Sequence, residues 1–194
     1  LAEAVAAEWD AAGGARGGEM TPEDVPLTRL AGTAQERIAP DPTPVVAGLV
    51  KYAETDLLCY RAEEPRLAGL QAESWQPLLD WAALQHDAPL RVTTGLMPVA
   101  QDPQALAALR RAVAALGPIE LAALGVLVPA FGSLVLGLAV VQERLEAAEA
   151  HRLATLDETF QEAFWGTDAE AAARRERIAR EVAVATRLVA LSRP

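Results

Sequence analysis

Cys59 is the residue of this sequence whose type most directly suggests catalysis. A lone thiol can act as a nucleophile when a histidine lies near it in the fold, and the two histidines here are His86 and His151. Neither histidine lies in a recognisable signature, and Leu58 and Tyr60 give the thiol apolar neighbours, which raise its pKa. A small α-rich enzyme that uses Cys59 is therefore one hypothesis, and a buried structural thiol is the favoured alternative.

Other signatures of catalysis or metal binding are missing from the sequence. Two histidines and one cysteine without helical spacing do not predict a zinc site. The glycine-rich frames that bind phosphates are absent, and Gly132-Ser133 does not lie in the G-x-S-x-G frame of a nucleophilic serine. We therefore expect no metal and no cofactor, and we expect that the protein is not an enzyme.

A group of acidic, amide and aromatic residues late in the chain has more specific spacing. Glu158, Gln161, Glu162 and Trp165 follow the i, i+3, i+4, i+7 pattern that puts four side chains on one helix face, and Asp157 precedes them. Because tryptophan is enriched where proteins contact each other, this face is a candidate for binding a partner. From spacing alone, the favoured interpretation is that the tryptophan covers the core and the acids point into water.

Composition limits the kinds of partner. The 194 residues carry a formal net charge of -10, which disfavours nucleic acid and an acidic membrane surface. Apolar residues make up 52% and charged residues 23%, as in a globular protein. One cysteine cannot form an internal disulfide, which is compatible with a reducing compartment.

Most of the chain has the residue spacing of helices, and these helices must position the residues described above. Paired glycines at Gly13-Gly14 and Gly17-Gly18 predict a loop after the first helix, and Thr167 with Glu170 predicts a capping box for the last one. The predicted helices span 1–12, 27–38, 43–53, 65–88, 103–116, a segment opening at Pro118, 133–144, 147–164 and a final helix to the C-terminus.

A small β-element is predicted around the cysteine. The segment Leu57–Tyr60 fits a buried strand, although a helix end has the same pattern, and Leu90–Thr94 alternates like a second strand. A helix separates the two segments, so a parallel pair joined by a crossover is expected.

The run from Leu121 to Val141 carries no charge and is long enough to span a bilayer. Pro129, Gly132 and Ser133 interrupt it, which favours a turn between two shorter helices. A buried central pair of helices is therefore predicted, and a membrane-associated assembly factor is the alternative.

These elements predict a mainly α fold of the α+β kind, an orthogonal helical bundle with a small two-stranded β-element. We expect one domain over 1–194, made of N-terminal helices (1–54), a strand-helix-strand element (55–95) and a helical bundle (102–194).

Five stretches in this order resemble the assembly chaperone that binds the alpha subunit of the F-type ATP synthase catalytic head. The resemblance implies a soluble, non-enzymatic protein that binds unassembled alpha subunit, prevents its aggregation and is released when alpha pairs with beta. The stretches are Pro26–Leu30, Tyr52–Arg61 with its T-D-L-L-C-Y-R core, Trp75-x-Pro77-Leu78-Leu79-x-Trp81, Gly132–Leu134, and Asp157-Glu158-x-x-Gln161 with Trp165-Gly166.

The resemblance also implies a site and a location. The acidic residue that this family carries late in the chain falls on Asp157-Glu158, which makes Glu158 the first choice as a contact to the alpha subunit. The family has a β-rich segment upstream of its helices, whereas this sequence begins at Leu1 inside a helix, so we expect that segment to be missing here. The expected location is the bacterial cytoplasm, or the mitochondrial matrix for eukaryotic relatives, with neither nucleic acid nor membrane insertion involved.

Overall fold

Helices dominate the computed structural model, which describes residues 1–13 and 20–193. Over these residues the chain forms ten α-helices and two strands, so the prediction of a mainly α fold is confirmed. In chain order they are α1 (Ala2–Gly13), α2 (Pro26–Gly32), α3 (Thr43–Val50), β1 (Tyr60–Arg61), α4 (Pro65–His86), β2 (Thr93–Thr94), α5 (Pro103–Ala114), α6 (Pro118–Phe131), α7 (Leu134–Val141), α8 (Ala147–Ala154), α9 (Leu156–Trp165) and α10 (Ala169–Ser192).

Two of the predicted N-terminal helices continue with altered geometry. A π-helical segment, Thr33–Ile38, extends α2, and a 3-10 segment, Lys51–Thr55, extends α3. The glycine loop predicted at residues 14–19 lies outside the described residues.

Helix starts follow the expected chemistry of caps. Proline occupies the first turn of several helices, where its missing N–H costs nothing, and carboxylates accept bonds from free backbone amides. Glu64 caps α4 and Asp102 caps α5 in this way. The predicted capping box at Thr167 was wrong by one residue, because the side chain of Asp168 accepts the bond from Glu170 N.

The predicted helix over 147–164 is divided at Thr155. The Thr155 hydroxyl donates to the carbonyl of His151, 2.9 Å away, and the backbone there leaves helical geometry, so α8 and α9 meet at a bend.

The uncharged run forms the centre of the core, as predicted. Gly132 has a φ of +63°, a conformation that glycine adopts at low cost, and it ends α6. Ser133 caps α7 by accepting from Leu136 N, and Pro129 lies inside α6 and not in the turn. Every residue of α7 is buried. In the described part of the chain, none of the helices has the length and apolar character to cross a membrane.

Gly137 is a position where α7 packs tightly against α6. A Cβ atom built on Gly137 would lie 2.7 Å from Val128 Cγ2 and 3.0 Å from Leu124 Cδ2. The sequence therefore needs glycine there for packing and not for its backbone angles.

The parallel strand pair is confirmed, with Tyr60 opposite Thr93 and Arg61 opposite Thr94. The prediction of a strand over Leu57–Tyr60 was wrong in its bounds, because Leu57–Cys59 is a 3-10 turn. The buried carboxylate of Asp56 causes the turn: it accepts from Leu58 N and from Val135 N, each at 3.1 Å. The segment is thereby tied to the start of α7.

Candidate functional site

The end of α9 displays large apolar side chains to solvent. Trp165 is 88% exposed and Phe164 is 58% exposed, and the helix ends at Gly166, whose φ is +83°. The interpretation favoured from spacing alone, in which the tryptophan covers the core, is therefore wrong. We call the exposed face of α9 from Glu158 to Trp165 the α9 tip.

Two acidic residues of the α9 tip are paired with arginines from the first half of α10. Glu158 accepts from Arg174 at 2.7 Å and from Arg175 at 3.3 Å, and Glu162 accepts from Arg175 at 2.6 Å. Arg175 thus bridges both carboxylates. The Glu158–Arg174 pair lies at the surface, where an ion pair contributes at most about 1 kcal/mol, so it can exchange partners at low cost. The side chains of Arg175 and Glu162 are only 15% and 21% exposed.

Asp157 points in a different direction from the other predicted site residues. Its carboxylate accepts from Gln71 Nε2 at 2.8 Å, and Gln71 is buried. The Oε1 atom of the same glutamine accepts from Ala62 N at 2.7 Å. Asp157 therefore anchors α9 to α4 and to the end of β1, which makes it a positioning residue for the tip.

Gln161 and Trp165 form a ridge between two shallow clefts. The first cleft, of about 410 Å³, is lined by the acid-arginine network together with Asp168. The second, of about 320 Å³, is lined by aromatic and charged side chains, namely Glu64, Arg66, Phe160 and Phe164. Four of the five predicted residues thus lie along one face of α9, and Asp157, in the first turn of the helix, is directed to Gln71 instead.

The aromatic cleft contains residues that sequence reasoning missed. The guanidinium of Arg66 lies over the ring of Phe164, 5.9 Å from its centroid, and Phe160 packs at 5.2 Å from Phe164 between centroids. The i, i+4 spacing of the two phenylalanines was a usable signal, whereas the approach of Arg66 from α4 was not visible in the sequence.

The α9 tip combines an exposed tryptophan with arginines and carboxylates. Of these side chains, tryptophan and arginine are the types enriched at interface hot spots. Within residues 1–13 and 20–193, no three histidine, cysteine, aspartate or glutamate residues gather as they would to hold a metal ion.

Cys59 lies elsewhere and is buried, as the favoured interpretation predicted. Burial, assisted by the nearby charge of Asp56, raises the pKa of its thiol to about 12. Neither histidine is among the groups that act on it: His86 ends α4 with its ring against Trp81, and His151 lies in α8 near Arg175. A thiol in this state is not a nucleophile at neutral pH.

Comparison with known proteins gives a consistent result. The family model of the ATP12 chaperone protein matches residues 1–83. The crystal structure of Atp12 from Paracoccus denitrificans is 46% identical, with a TM-score of 0.91, over 99% of this chain and 81% of that one.

Two further solved structures agree. A mutant of the Paracoccus denitrificans protein matches at 45% identity over the same shares of the two chains, with a TM-score of 0.91. A chaperone candidate from Agrobacterium tumefaciens is 34% identical over 87% of this chain and 64% of its own, with a TM-score of 0.81. The relatives point to a protein without enzymatic activity.

Proposed function

This chain belongs to the ATP12 chaperone family, and we propose from that premise that it binds the unassembled alpha subunit of the F-type ATP synthase catalytic head. In this proposal the chain keeps the alpha subunit (the client) from aggregating and releases it when alpha pairs with beta. An orphan subunit exposes apolar interface, which is an aggregation hazard until it is covered.

The observation that carries the proposal is the exposure of Trp165 on an ordered helix. Most large apolar side chains of the described residues are buried, whereas this indole lies almost fully in water between two clefts. Burying an aromatic side chain of that size against a partner stabilises a complex by a few kcal/mol.

Glu158 and Glu162 give the tip its charge. Their pairs with Arg174 and Arg175 satisfy them in the free protein, and a basic client side chain can replace the exposed Arg174 beside Glu158 at small net cost. Gln161, on the ridge beside Trp165, supplies amide donor and acceptor groups that a client backbone can use. Asp157 contributes by fixing the direction of α9 through Gln71.

The surface chemistry suits a temporary cover. Weak ion pairs around one aromatic anchor favour moderate affinity, which the beta subunit must overcome to displace the chaperone. We place this activity in the bacterial cytoplasm, since the solved relatives are bacterial.

The proposal is tested by measuring whether the tagged chain retains the alpha subunit. The tagged wild-type chain is mixed with freshly unfolded alpha subunit, and we expect retention of alpha that falls when beta subunit is added. Glu158→Lys places a third positive charge beside Arg174 and Arg175, and it should weaken retention about tenfold or more while the thermal melt changes little.

Glu176→Lys is the matched control. Glu176 is an exposed acid that pairs with Arg180 on the same helix, so the substitution makes the same charge change away from the tip. Equal retention by both lysine variants would remove Glu158 from the site, and absence of retention by the wild type would contradict the proposed function itself.

A further inference from the structure

We propose that the outer edge of β2 accepts an extended apolar segment of the client as a third strand. The proposal rests on the proposed function and adds a second contact to the α9 tip. It concerns the segment from Val92 to Met97, which carries some of the most exposed apolar side chains of the described residues. We call this segment the β2 edge.

The backbone groups of the β2 edge that face inward are bonded. Gly95 N donates to the Arg61 carbonyl at 2.9 Å, and Thr93 faces Tyr60 in the parallel pair. At Arg91, two residues before Thr93, the side chain of Gln101 takes the place of a paired strand. Its amide oxygen accepts from Arg91 N at 2.7 Å, and its amide nitrogen donates to Arg91 O at 3.0 Å. The inner side of this extended segment is therefore complete.

The outward-facing groups are open. Successive residues of a strand direct their backbone N–H and C=O to opposite sides, so the groups of Val92 and Thr94 point away from β1. Among the described residues none bonds to the N–H or C=O of Thr94. The far side of β1 differs, because Ala62 N donates there to the side chain of Gln71 in α4. The strand pair thus has one covered edge and one free edge.

Side chains beside the free edge favour an apolar strand. Val92 and Thr94 lie on one side of the strand and both are exposed. Gly95, with a φ of +83°, then turns the chain out of the strand, and Leu96 after it is 94% exposed. Met97 is 78% exposed, and its carbonyl accepts from the Thr93 hydroxyl at 3.2 Å. These apolar groups are presented by a segment already held in place, which lowers the entropy cost of binding.

An open strand edge can pair with other chains, so native proteins normally protect it with a charged residue, a proline or a covering helix or loop. The β2 edge is short but carries apolar residues at the positions where a charge would protect it. The outward backbone groups of Val92 and Thr94 favour an extended chain over a helix, since a helix has free backbone groups only at its ends.

The β2 edge and the α9 tip lie at the same end of α4. The position of a Cβ on Gly95 is 3.2 Å from Glu63 Oε1, and the next residue, Glu64, lines the aromatic cleft of the tip. One client can therefore contact both, with a side chain at Trp165 and a strand at β2.

Thr94→Pro tests the inference, because proline removes the outward N–H without removing a bond to β1. We expect retention of unassembled alpha subunit to fall about three- to tenfold, the effect of one lost backbone hydrogen bond. Thr94→Val keeps the N–H and serves as the matched control, with retention expected to equal the wild type.

Hydrogen exchange on the wild type gives a readout that does not depend on folding of the proline variant. In the complex with alpha subunit, exchange of the Thr94 amide should slow by tenfold or more. The Gly95 amide, which is already bonded to Arg61, should change little.

Each other outcome overturns the inference. If the wild type retains alpha while Thr94→Pro retains it equally and the Thr94 amide is not protected, the β2 edge is not the contact and the proposed function stands. If the wild type retains no alpha, both fail. If the chain alone dimerises in sedimentation and Thr94→Pro abolishes the dimer, the edge belongs to a second copy and not to the client.

Discussion

Trp75 and Trp165 occupy opposite environments in the same chain. Trp75 is fully buried in α4, its Nε1 donates to the Leu153 carbonyl at 3.1 Å, and the guanidinium of Arg61 lies over its ring. Trp165 is nearly fully exposed at the end of α9. The first indole joins α4 to α8, and the second contacts little of its own chain, so the same residue type stabilises the fold at one site and is available to a partner at the other.

The carboxylates of the two regions differ in the same way. Asp56 is buried and its oxygens accept backbone amides from two separate segments. The side chain of Glu158 is 41% exposed and that of its partner Arg174 is 52% exposed. Bonds to fixed backbone groups cannot exchange without opening the core, whereas surface ion pairs can exchange with water or with a partner. An exchangeable pair of this kind is therefore what we expect of the proposed contact site.

Trp75→Ala should give the largest effect. It removes a fully buried aromatic side chain and leaves the Leu153 carbonyl without its donor, which together cost about 3–5 kcal/mol. The free energy of unfolding, measured by urea denaturation followed by circular dichroism, should fall by that amount. A loss below about 1 kcal/mol would mean that α4 and α8 do not depend on this indole, and the contrast with Trp165 would collapse.

Asp56 gives the stability of the core a pH dependence. Burial raises the pKa of its carboxyl from 3.8 to about 6, although hydrogen bonds from Ser133 and Val135 act in the opposite direction. The folded state therefore holds a proton that the unfolded state releases between these two values. This contribution favours folding below about pH 4, is lost as pH rises through about 6, and then stays constant.

Asp56→Asn isolates this contribution, because all other titrating groups are shared. The stability of the wild type minus that of the variant should fall by roughly 2–3 kcal/mol between pH 4 and pH 7, as expected for a shift of about two pKa units. Urea denaturation at several pH values measures the difference. A flat difference would show that the pKa of Asp56 is the same in the folded and unfolded chains.

Gly137 tests how closely the central helices pack. A methyl group there meets Val128 at 2.7 Å, and overpacking of this kind costs about 1–3 kcal/mol, more than the gain of about 1 kcal/mol from replacing glycine in a helix. Gly137→Ala should therefore lower the thermal midpoint. Gly125→Ala is the control in α6, where nothing lies within 4 Å of the added carbon, and it should raise the midpoint. A rise for both variants would show that α7 can move away from α6.

Much of the fold was predictable because helix signals are local. Capping residues such as Asp102, proline at helix starts and the break at Gly132 are each encoded within a few positions. The error in the β-element arose where a distant residue decided the structure. The strand predicted at Leu57–Tyr60 became a 3-10 turn because Asp56 also bonds to Val135. That contact spans two segments far apart in sequence.

The candidate site was predictable only in part for the same reason. Helical spacing put Glu158, Gln161, Glu162 and Trp165 on one face, and the structure has them at one tip. It could not show that Asp157 would turn inward to Gln71, nor that Arg175 would bridge two acids across helices. These are tertiary contacts, which spacing along one helix does not encode.

Trp165→Ala should change stability least and binding most. The side chain is 88% exposed, so its removal should leave the free energy of unfolding within about 0.5 kcal/mol of the wild type. Retention of unassembled alpha subunit should nevertheless fall roughly tenfold to a hundredfold, as for a tryptophan hot spot. Leu84→Ala is the control, because Leu84 is equally exposed, at 89%, on α4 beside Arg144 and away from the tip. If the two alanine variants retain the client equally, exposure alone does not mark a contact. If Trp165→Ala unfolds the chain instead, the indole belongs with Trp75 and the division between core and tip is wrong.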